Sequence, residues 1–113
     1  MKSKYNAKKT EYNGKMYSSK KEAKRAQELQ LLARGKHIAE LREQVVYILA
    51  PSVVVQGRKR PPMKYVADFE YMDMTKPIGE RLIVEDCKGF RTAVYNLKRH
   101  LMMSVHGIEI FET

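Results

Sequence analysis

The spacing of apolar residues changes at Gly35, and this change constrains the fold of the 113-residue chain more than any other feature. Ser19-Lys20-Lys21-Glu22 is a capping box, in which a hydroxyl and a carboxylate three residues apart satisfy free amides at a helix start. After it, apolar residues recur at three- and four-residue steps until Gly35, at Ala23, Ala26, Leu29, Leu32 and Ala33. This pattern predicts a helix that ends at the glycine.

Beyond Gly35 the apolar residues alternate with polar ones, which predicts strands. We expect strands at 40–50, 64–72, 81–88 and 108–111, a further apolar piece at 52–56 that continues or pairs with the first strand, and a second helix at 91–104. Turn residues predict a tight hairpin turn at Asn13-Gly14 and a loop over 57–62. The order of helix, three or four strands, helix and strand predicts an α/β (α+β) fold. We expect a mobile basic arm at 1–12 and a single domain at 13–113.

The charge balance points to a polyanionic partner. Twenty-two Lys and Arg against thirteen Asp and Glu give a net charge of +9, and Lys and Arg supply most phosphate contacts to nucleic acids. The alternative for each basic residue is a position on a solvated surface that has no role in binding. The candidate DNA contacts are Lys8, Lys9, Arg58, Lys59, Arg60, Arg91, Lys98 and Arg99.

Other classes of protein are disfavoured by what the chain lacks. The single cysteine, Cys87, excludes an internal disulfide and a multi-cysteine zinc site. The three histidines have no spacing that brings two together, and there is no glycine-rich phosphate loop. The longest apolar run, around 53–55, is too short to span a membrane. The lysine-rich N-terminus has no apolar stretch of a secretory signal behind it, so we expect a cytoplasmic protein.

Two acids and a lysine form the pattern with the clearest chemical meaning. Asp86 and Lys88 share one face of a predicted strand, whereas Glu85 and Cys87 share the other. Asp68 interrupts an apolar strand and can lie beside Asp86 if the two strands pair antiparallel. Two such carboxylates repel each other, and a divalent cation relieves the repulsion. The plain alternative is a charged strand end that is simply solvated.

Four blocks of sequence, spread over about 12–111, together resemble a known family. They are Tyr17–Ala23, Tyr65–Phe69, Val84–Gly89 and Leu97–Met102. In this order they are similar to the PD-(D/E)xK nuclease superfamily, and within it to small phage-encoded proteins similar to Holliday junction resolvases. The resemblance implies a restriction-endonuclease-like core with a central mixed sheet of about four to five strands flanked by helices.

The resemblance also implies roles for individual residues. Asp68 and Asp86 match the two motif acids, Lys88 matches the motif lysine, and Glu22 matches an acid on the first helix that completes the metal site. The implied cofactor is Mg²⁺, with Mn²⁺ as a substitute. One departure is Ala67, which stands where the motif has proline.

Two of these assignments keep an alternative. Glu85 becomes the second motif acid if a β-bulge lies at Cys87, and Glu22 is only a helix cap if its carboxylate satisfies a backbone amide.

The expected function is therefore a metal-dependent endodeoxyribonuclease that cuts branched DNA. The closest expectation is a phage Holliday junction resolvase that acts as a homodimer in the host cytoplasm. Two alternatives stay open: a nicking or restriction-like endonuclease on duplex or flap DNA, and a non-catalytic basic DNA-binding module.

Overall fold

The computed structural model of the protein describes residues 9–88 and 90–113. Its elements, in chain order, are β1 (Thr10–Tyr12), β2 (Lys15–Tyr17), α1 (Lys20–Arg34), β3 (Ile38–Ala50), β4 (Val53–Val55), β5 (Arg58–Arg60), β6 (Met63–Asp73), β7 (Leu82–Asp86), α2 (Ala93–His106) and β8 (Phe111–Glu112). Neither helix in these ranges is long and apolar enough to cross a membrane. Lys8, most of the predicted basic arm and Gly89 lie outside the described residues.

The central sheet has four strands in the order β3-β6-β7-β8. Strand β6 is antiparallel to both β3 and β7, whereas β8 runs parallel to β7. The sheet is therefore mixed, as predicted, and the α+β class is confirmed.

The two helices cover opposite faces of this sheet. Neighbouring residues of a strand point to opposite faces, and the adjacent residues Val84 and Glu85 of β7 contact different helices. Val84 packs with Tyr95 and Met102 of α2, whereas Glu85 accepts hydrogen bonds from Arg25 of α1. We call the two faces the α2 side and the α1 side.

Each side has its own buried core. The core on the α1 side consists of Tyr17, Ala23, Ala26, Leu29, Ile38, Phe69 and Tyr71. The core on the α2 side consists of Leu49, Tyr65, Ala67, Val84, Tyr95, Met102 and Ile110. Strand β6 supplies residues to both, and all four of them stand at odd positions. The regular alternation of a strand is therefore interrupted between Ala67 and Phe69, which is where Asp68 lies.

The first helix and the first hairpin confirm the local sequence signals. Ser19 is the N-cap of α1, and its hydroxyl accepts a hydrogen bond from the Glu22 amide at 3.1 Å. Strands β1 and β2 pair around the Asn13-Gly14 turn, whose two residues have φ values of 53° and 78°. Such φ values are those of the tight hairpin turns that asparagine and glycine favour. Residues Thr10–Tyr12 therefore form a strand, and their assignment to the arm was wrong.

The predicted loop over 57–62 is wrong for Arg58–Arg60. These residues form β5, which pairs with β4 around Gln56-Gly57, where both residues have positive φ, 52° and 75°. Because the chain already reverses direction at Gln56-Gly57, the charged residues after the glycine pair with β4 as a strand.

The ends of α2 and β8 also differ from the sequence prediction. The helix begins after Thr92, whose hydroxyl accepts a hydrogen bond from the Tyr95 amide. At the other end, the Ile108 amide still bonds to the Met102 carbonyl and Gly107 has a φ of 66°. The chain is therefore still capping the helix at Ile108, and the last strand forms only at Phe111–Glu112.

Candidate functional site

Asp68 and Asp86 lie side by side on neighbouring strands. The register of β6 and β7 pairs Phe69 with Glu85, and continuing it by one residue sets Asp68 opposite Asp86. Both side chains line the same cleft, and the charge of Asp86 acts on Asp68. The Cys87 amide donates a hydrogen bond to Asp68 Oδ2 at 2.8 Å. The antiparallel pairing that the sequence suggested therefore brings the two acids together.

The environment of Asp68 disfavours its charged form. Burial, followed by the interaction with the neighbouring Asp86 carboxyl group, raises the pKa of Asp68 to about 8. The charge of Glu22 acts in the same direction, whereas the Cys87 amide opposes it. A neighbouring negative charge disfavours ionisation of a partly buried carboxyl group, so the protonated form of Asp68 is the favoured one near neutral pH.

Lys88 stands beside the second acid. Its Nζ atom lies 3.2 Å from Asp86 Oδ2 and 4.2 Å from the centre of the Tyr95 ring. The Tyr65 hydroxyl donates to the same Asp86 oxygen at 2.6 Å. The predicted sharing of one face by Asp86 and Lys88 agrees with this geometry, and the tyrosine and the ammonium together fix the orientation of the carboxylate.

Glu22 reaches the site from α1. Its carboxylate is buried and accepts hydrogen bonds from the Ser18 hydroxyl at 2.7 Å and from the Gln44 amide group at 3.3 Å. The Ser19 hydroxyl caps the helix start by accepting from the Glu22 amide, while the Glu22 carboxylate is held by the side chains of Ser18 and Gln44. Glu22 and Asp68 line the same cleft of about 310 Å³, together with Lys9.

A second cleft lies beside Asp86. It has a volume of about 270 Å³, and its lining includes Asp68, Asp86, Lys88 and Lys98. Asp68 therefore borders both clefts and stands between Glu22 and Asp86. A phosphate that enters the second cleft meets two ammonium groups beside the acid pair.

The donor chemistry of the pair suits a hard divalent cation, which prefers carboxylate oxygens. A cation also supplies the positive charge that two neighbouring, partly dehydrated carboxylates lack. In residues 9–88 and 90–113 there is no group of three or more His, Cys, Asp or Glu arranged to hold a metal. The structure therefore brings two of the three predicted ligands together and places Glu22 next to Asp68, in the neighbouring cleft.

Glu85, the alternative motif acid, faces the other way. It is fully buried on the α1 side, where Arg25 donates to it through Nε at 2.7 Å and through Nη2 at 3.0 Å. The Tyr71 hydroxyl donates to it as well, at 2.7 Å. Of the two candidate acids, Asp86 is the one that lies next to Asp68 and Lys88.

The predicted DNA contacts are distributed over several surfaces. Lys98 and Lys9 lie on the two clefts that Asp68 borders, and Arg58–Arg60 are exposed on the β4–β5 hairpin. Arg91 and Arg99 line a different cleft of about 710 Å³. There both pair with Glu112, at 2.9 Å from Arg91 Nε and 3.4 Å from Arg99.

Sequence reasoning missed three polar partners of the acids: Tyr65, Ser18 and Gln44. Tyr65 and Asp68 are three positions apart, a spacing that puts two residues of a regular strand on opposite faces. The interrupted alternation of β6 is what lets Tyr65 reach Asp86. Gln44 has an unusual backbone conformation within β3, with a φ of 54°. No local sequence pattern identifies this residue as a partner of Glu22.

Comparison with known proteins adds one match to this geometry. No curated protein and no solved structure matches the chain. A family model described as "Protein of unknown function (DUF1064)" matches residues 2–109, nearly the whole sequence. The chain belongs to the DUF1064 family.

Proposed function

We propose that the protein is a Mg²⁺-dependent endodeoxyribonuclease that cuts branched DNA, with four-way junctions as the preferred substrate. The observation that carries this proposal is the placement of Asp68 opposite Asp86 on neighbouring strands, in one cleft with Lys88, whose Nζ atom lies 3.2 Å from Asp86 Oδ2. Placing two acids together away from water costs free energy. A protein that only binds DNA would gain nothing from this arrangement, whereas a metal-dependent hydrolase needs it.

The proposed ligands of the cation are Asp68 and Asp86, with Glu22 as the third carboxylate. Mg²⁺ is the proposed ion and Mn²⁺ its substitute, because both prefer oxygen ligands. When bound, the cation supplies Lewis-acid polarisation of the phosphodiester and neutralises negative charge.

The side chains around the pair have roles of their own. The Lys88 ammonium offsets the negative charge that develops on the phosphate during in-line attack by water. The Tyr65 hydroxyl holds one oxygen of Asp86 in a fixed orientation. Lys98, on the rim of the same cleft, positions the DNA backbone through its charge.

A four-way junction requires two symmetric cuts, which a two-fold homodimer delivers. The outer surface of α2 supports self-association, because Leu97 and Val105 are each at least half exposed there. Exposed apolar residues at helical spacing are typical of an interaction surface. The proposed location is the cytoplasm, or the host cytoplasm if the protein is phage-encoded.

Cleavage of a synthetic four-way junction in Mg²⁺ tests the proposal. We expect Lys88→Ala and Asp86→Asn to lower the cleavage rate by about 10²–10³-fold, the range for removing one group that stabilises developing charge. The matched controls are Lys24→Ala and Asp73→Asn, which alter exposed or peripheral groups outside both clefts. Equal rates for the wild type and the two site variants would show that the site is assigned wrongly.

Two alternatives give different results in the same assay. A nicking or restriction-like enzyme cuts a flap or a linear duplex of the same sequence as fast as the junction. A non-catalytic DNA-binding module binds tightly and with strong salt dependence, gives no Mg²⁺-dependent product, and binds equally well after Asp68→Asn. The exposed basic residues of β5 favour this second alternative over other non-enzymatic functions.

A further inference from the structure

The hairpin formed by β4 and β5, which we call the basic hairpin (Val53–Arg60), has no assigned role in the chemistry above. In the described part of the chain its strands form a two-stranded sheet of their own. All six strand residues are exposed. The three valines are exposed by 50%, 69% and 46%, which is unusual for three consecutive β-branched residues. A surface of this kind calls for a partner.

We propose that the basic hairpin lies in the major groove of a DNA duplex. The proposal rests on the DNA-binding part of the proposed function and names the way in which the substrate is held. Its first support is charge. The segment 51–64 contains four basic residues and no acid, so a polyanion is the complementary partner.

The register of the hairpin gives each of its faces both kinds of contact. Val54 pairs with Lys59, whereas Val53 and Val55 pair with Arg60 and Arg58. Directly paired residues project from the same face of a ribbon. Each face therefore carries a basic head that can reach phosphates and a valine that can pack on apolar base edges. Contacts to phosphate alone would leave the valines in water.

The dimensions of DNA select the groove. The major groove is about 12 Å wide and admits a two-stranded β-ribbon, whereas the minor groove is about 6 Å wide. Thymine methyl groups line the floor of the major groove and offer apolar contacts. Valine methyls match this floor.

The hairpin can reach the duplex that the acids would cut. Arg60 stands eight positions before Asp68, so an extended chain separates them by at most about 26 Å. One helical turn of DNA is about 34 Å long. Pro61-Pro62 joins the hairpin to β6 and limits the backbone angles of this connection. The hairpin and the acid pair therefore fit on one turn of the same duplex arm.

A second copy of the chain is the competing occupant. Two basic hairpins in contact would bring six like charges together from the β5 residues Arg58, Lys59 and Arg60 of each copy. Repulsion between these like charges opposes such a contact, whereas the negatively charged phosphate backbone of DNA attracts the same residues.

The first experiment measures binding of the full chain to a short linear duplex without divalent cations, over a series of salt concentrations. We expect the triple variant Arg58→Gln, Lys59→Gln, Arg60→Gln to reduce the slope of log K against log salt by about 2.7, or 0.9 for each lost phosphate contact. The control changes Lys24, Arg34 and Lys36, three exposed cations of α1 and its end, to Gln. It removes the same net charge, and its slope should change much less.

The second experiment tests the groove itself. Methylation of guanine N7 reports the major groove, and methylation of adenine N3 reports the minor groove. We expect the wild type to protect N7 over part of one helical turn and the triple variant to lose this protection. Val54→Ser, at a residue that is mostly exposed without DNA, should leave the melting temperature unchanged and weaken binding about fivefold.

The outcomes separate this proposal from the proposed function. Binding that depends on the hairpin without Mg²⁺-dependent cleavage supports the hairpin proposal and contradicts the nuclease. Equal slopes for the triple variant and its control, or unprotected N7, contradict the hairpin proposal alone. A triple variant that changes the oligomeric state and not DNA binding points to the second copy as the occupant. A wild type that does not bind DNA contradicts both proposals.

Discussion

Strand β7 carries two buried carboxylates on adjacent residues, one on each side of the sheet, and their surroundings begin alike. Glu85 on the α1 side accepts a hydrogen bond from the Tyr71 hydroxyl at 2.7 Å. Asp86 on the α2 side accepts one from the Tyr65 hydroxyl at 2.6 Å. Both tyrosines belong to β6 and both are almost fully buried. Each acid therefore has the same kind of first hydrogen-bond partner, a buried tyrosine of β6.

The second partner makes them different. Glu85 meets the Arg25 guanidinium through two hydrogen bonds, so its charge is matched and α1 is held to the sheet. Asp86 meets another acid, Asp68, and a lysine that is one quarter exposed. A matched ion pair serves the fold, whereas a mismatched pair of acids lowers stability and leaves oxygen atoms available for a ligand. The same strand thus carries a structural acid and a candidate functional acid.

The largest expected effect separates the two sides by activity. Asp68→Asn keeps the size and hydrogen-bonding capacity of the side chain but removes the second carboxylate of the pair. We expect junction cleavage in Mg²⁺ to fall by about three orders of magnitude, while unfolding in urea shows a protein at least as stable as the wild type. Asp73→Asn, on the same strand, is the matched control and should cut normally. A cleavage rate for Asp68→Asn within a few-fold of the wild type would remove the acid pair from the mechanism.

On the α1 side the expected effect is on stability. Arg25→Met leaves Glu85 buried without its cation, and breaking such a pair costs several kcal/mol. Because the Arg25 side chain is 23% exposed, we expect a smaller loss, about 2–3 kcal/mol of unfolding free energy in urea.

The control for this prediction removes both charges. The double variant Arg25→Met, Glu85→Leu should recover most of the loss, since an apolar pair of similar volume replaces a buried ion pair at little cost. If the single and double variants are equally unstable, lost packing of α1 explains the effect and the pairing does not.

The sequence was sufficient for the features that depend on neighbouring residues. The Ser19 cap and the spacing of Ala26 and Leu29 predicted α1, because a helix is written in local periodicity. The alternation of a strand put Asp86 and Lys88 on one face. One non-local step, the antiparallel pairing of two strands, then sufficed to bring Asp68 next to Asp86.

The features that it did not predict depend on contacts between distant parts of the chain. Arg25 and Glu85 are 60 positions apart, and no local pattern links them. The interruption of β6 at Asp68 determines which acid Tyr65 reaches, and a regular alternation places Tyr65 on the wrong side. The run of charges at 58–60 predicts a loop and not the basic hairpin, although Gln56-Gly57 supplies the turn that a hairpin needs.

Asp68 also predicts a pH dependence of stability without divalent cations, which amounts to a small change of unfolding free energy at each step of a titration. Unfolded Asp68 ionises near its ordinary pKa of 3.8, whereas the folded protein keeps its proton up to about pH 8. Between these values the native state binds more protons than the unfolded state. The unfolding free energy therefore falls as the pH rises, by up to about 1.4 kcal/mol per pH unit.

Urea titrations between about pH 5 and about pH 8 measure this slope. Asp68→Asn should remove most of it, because the variant has no proton to lose. Asp73→Asn should retain it, since the hydrogen bonds from Thr75 lower the pKa of Asp73 and place its titration below this range. A wild-type slope that persists in Asp68→Asn would assign the titration to another group.

The smallest effects come from the matched tyrosines, and they return to the two sides of β7. Tyr71→Phe removes one donor to Glu85 but leaves both Arg25 hydrogen bonds, so we expect a loss of about 1 kcal/mol in unfolding free energy and normal cleavage. Tyr65→Phe removes the donor that orients Asp86, and Lys88 alone cannot fix the carboxylate plane. We expect a similar small loss of stability together with about tenfold slower junction cleavage, because a misoriented catalytic group costs rate more than affinity. Measuring kcat and KM separately distinguishes a loss of rate from a loss of affinity. Equal kcat values for the two tyrosine variants would mean that the α2 side is as purely structural as the α1 side.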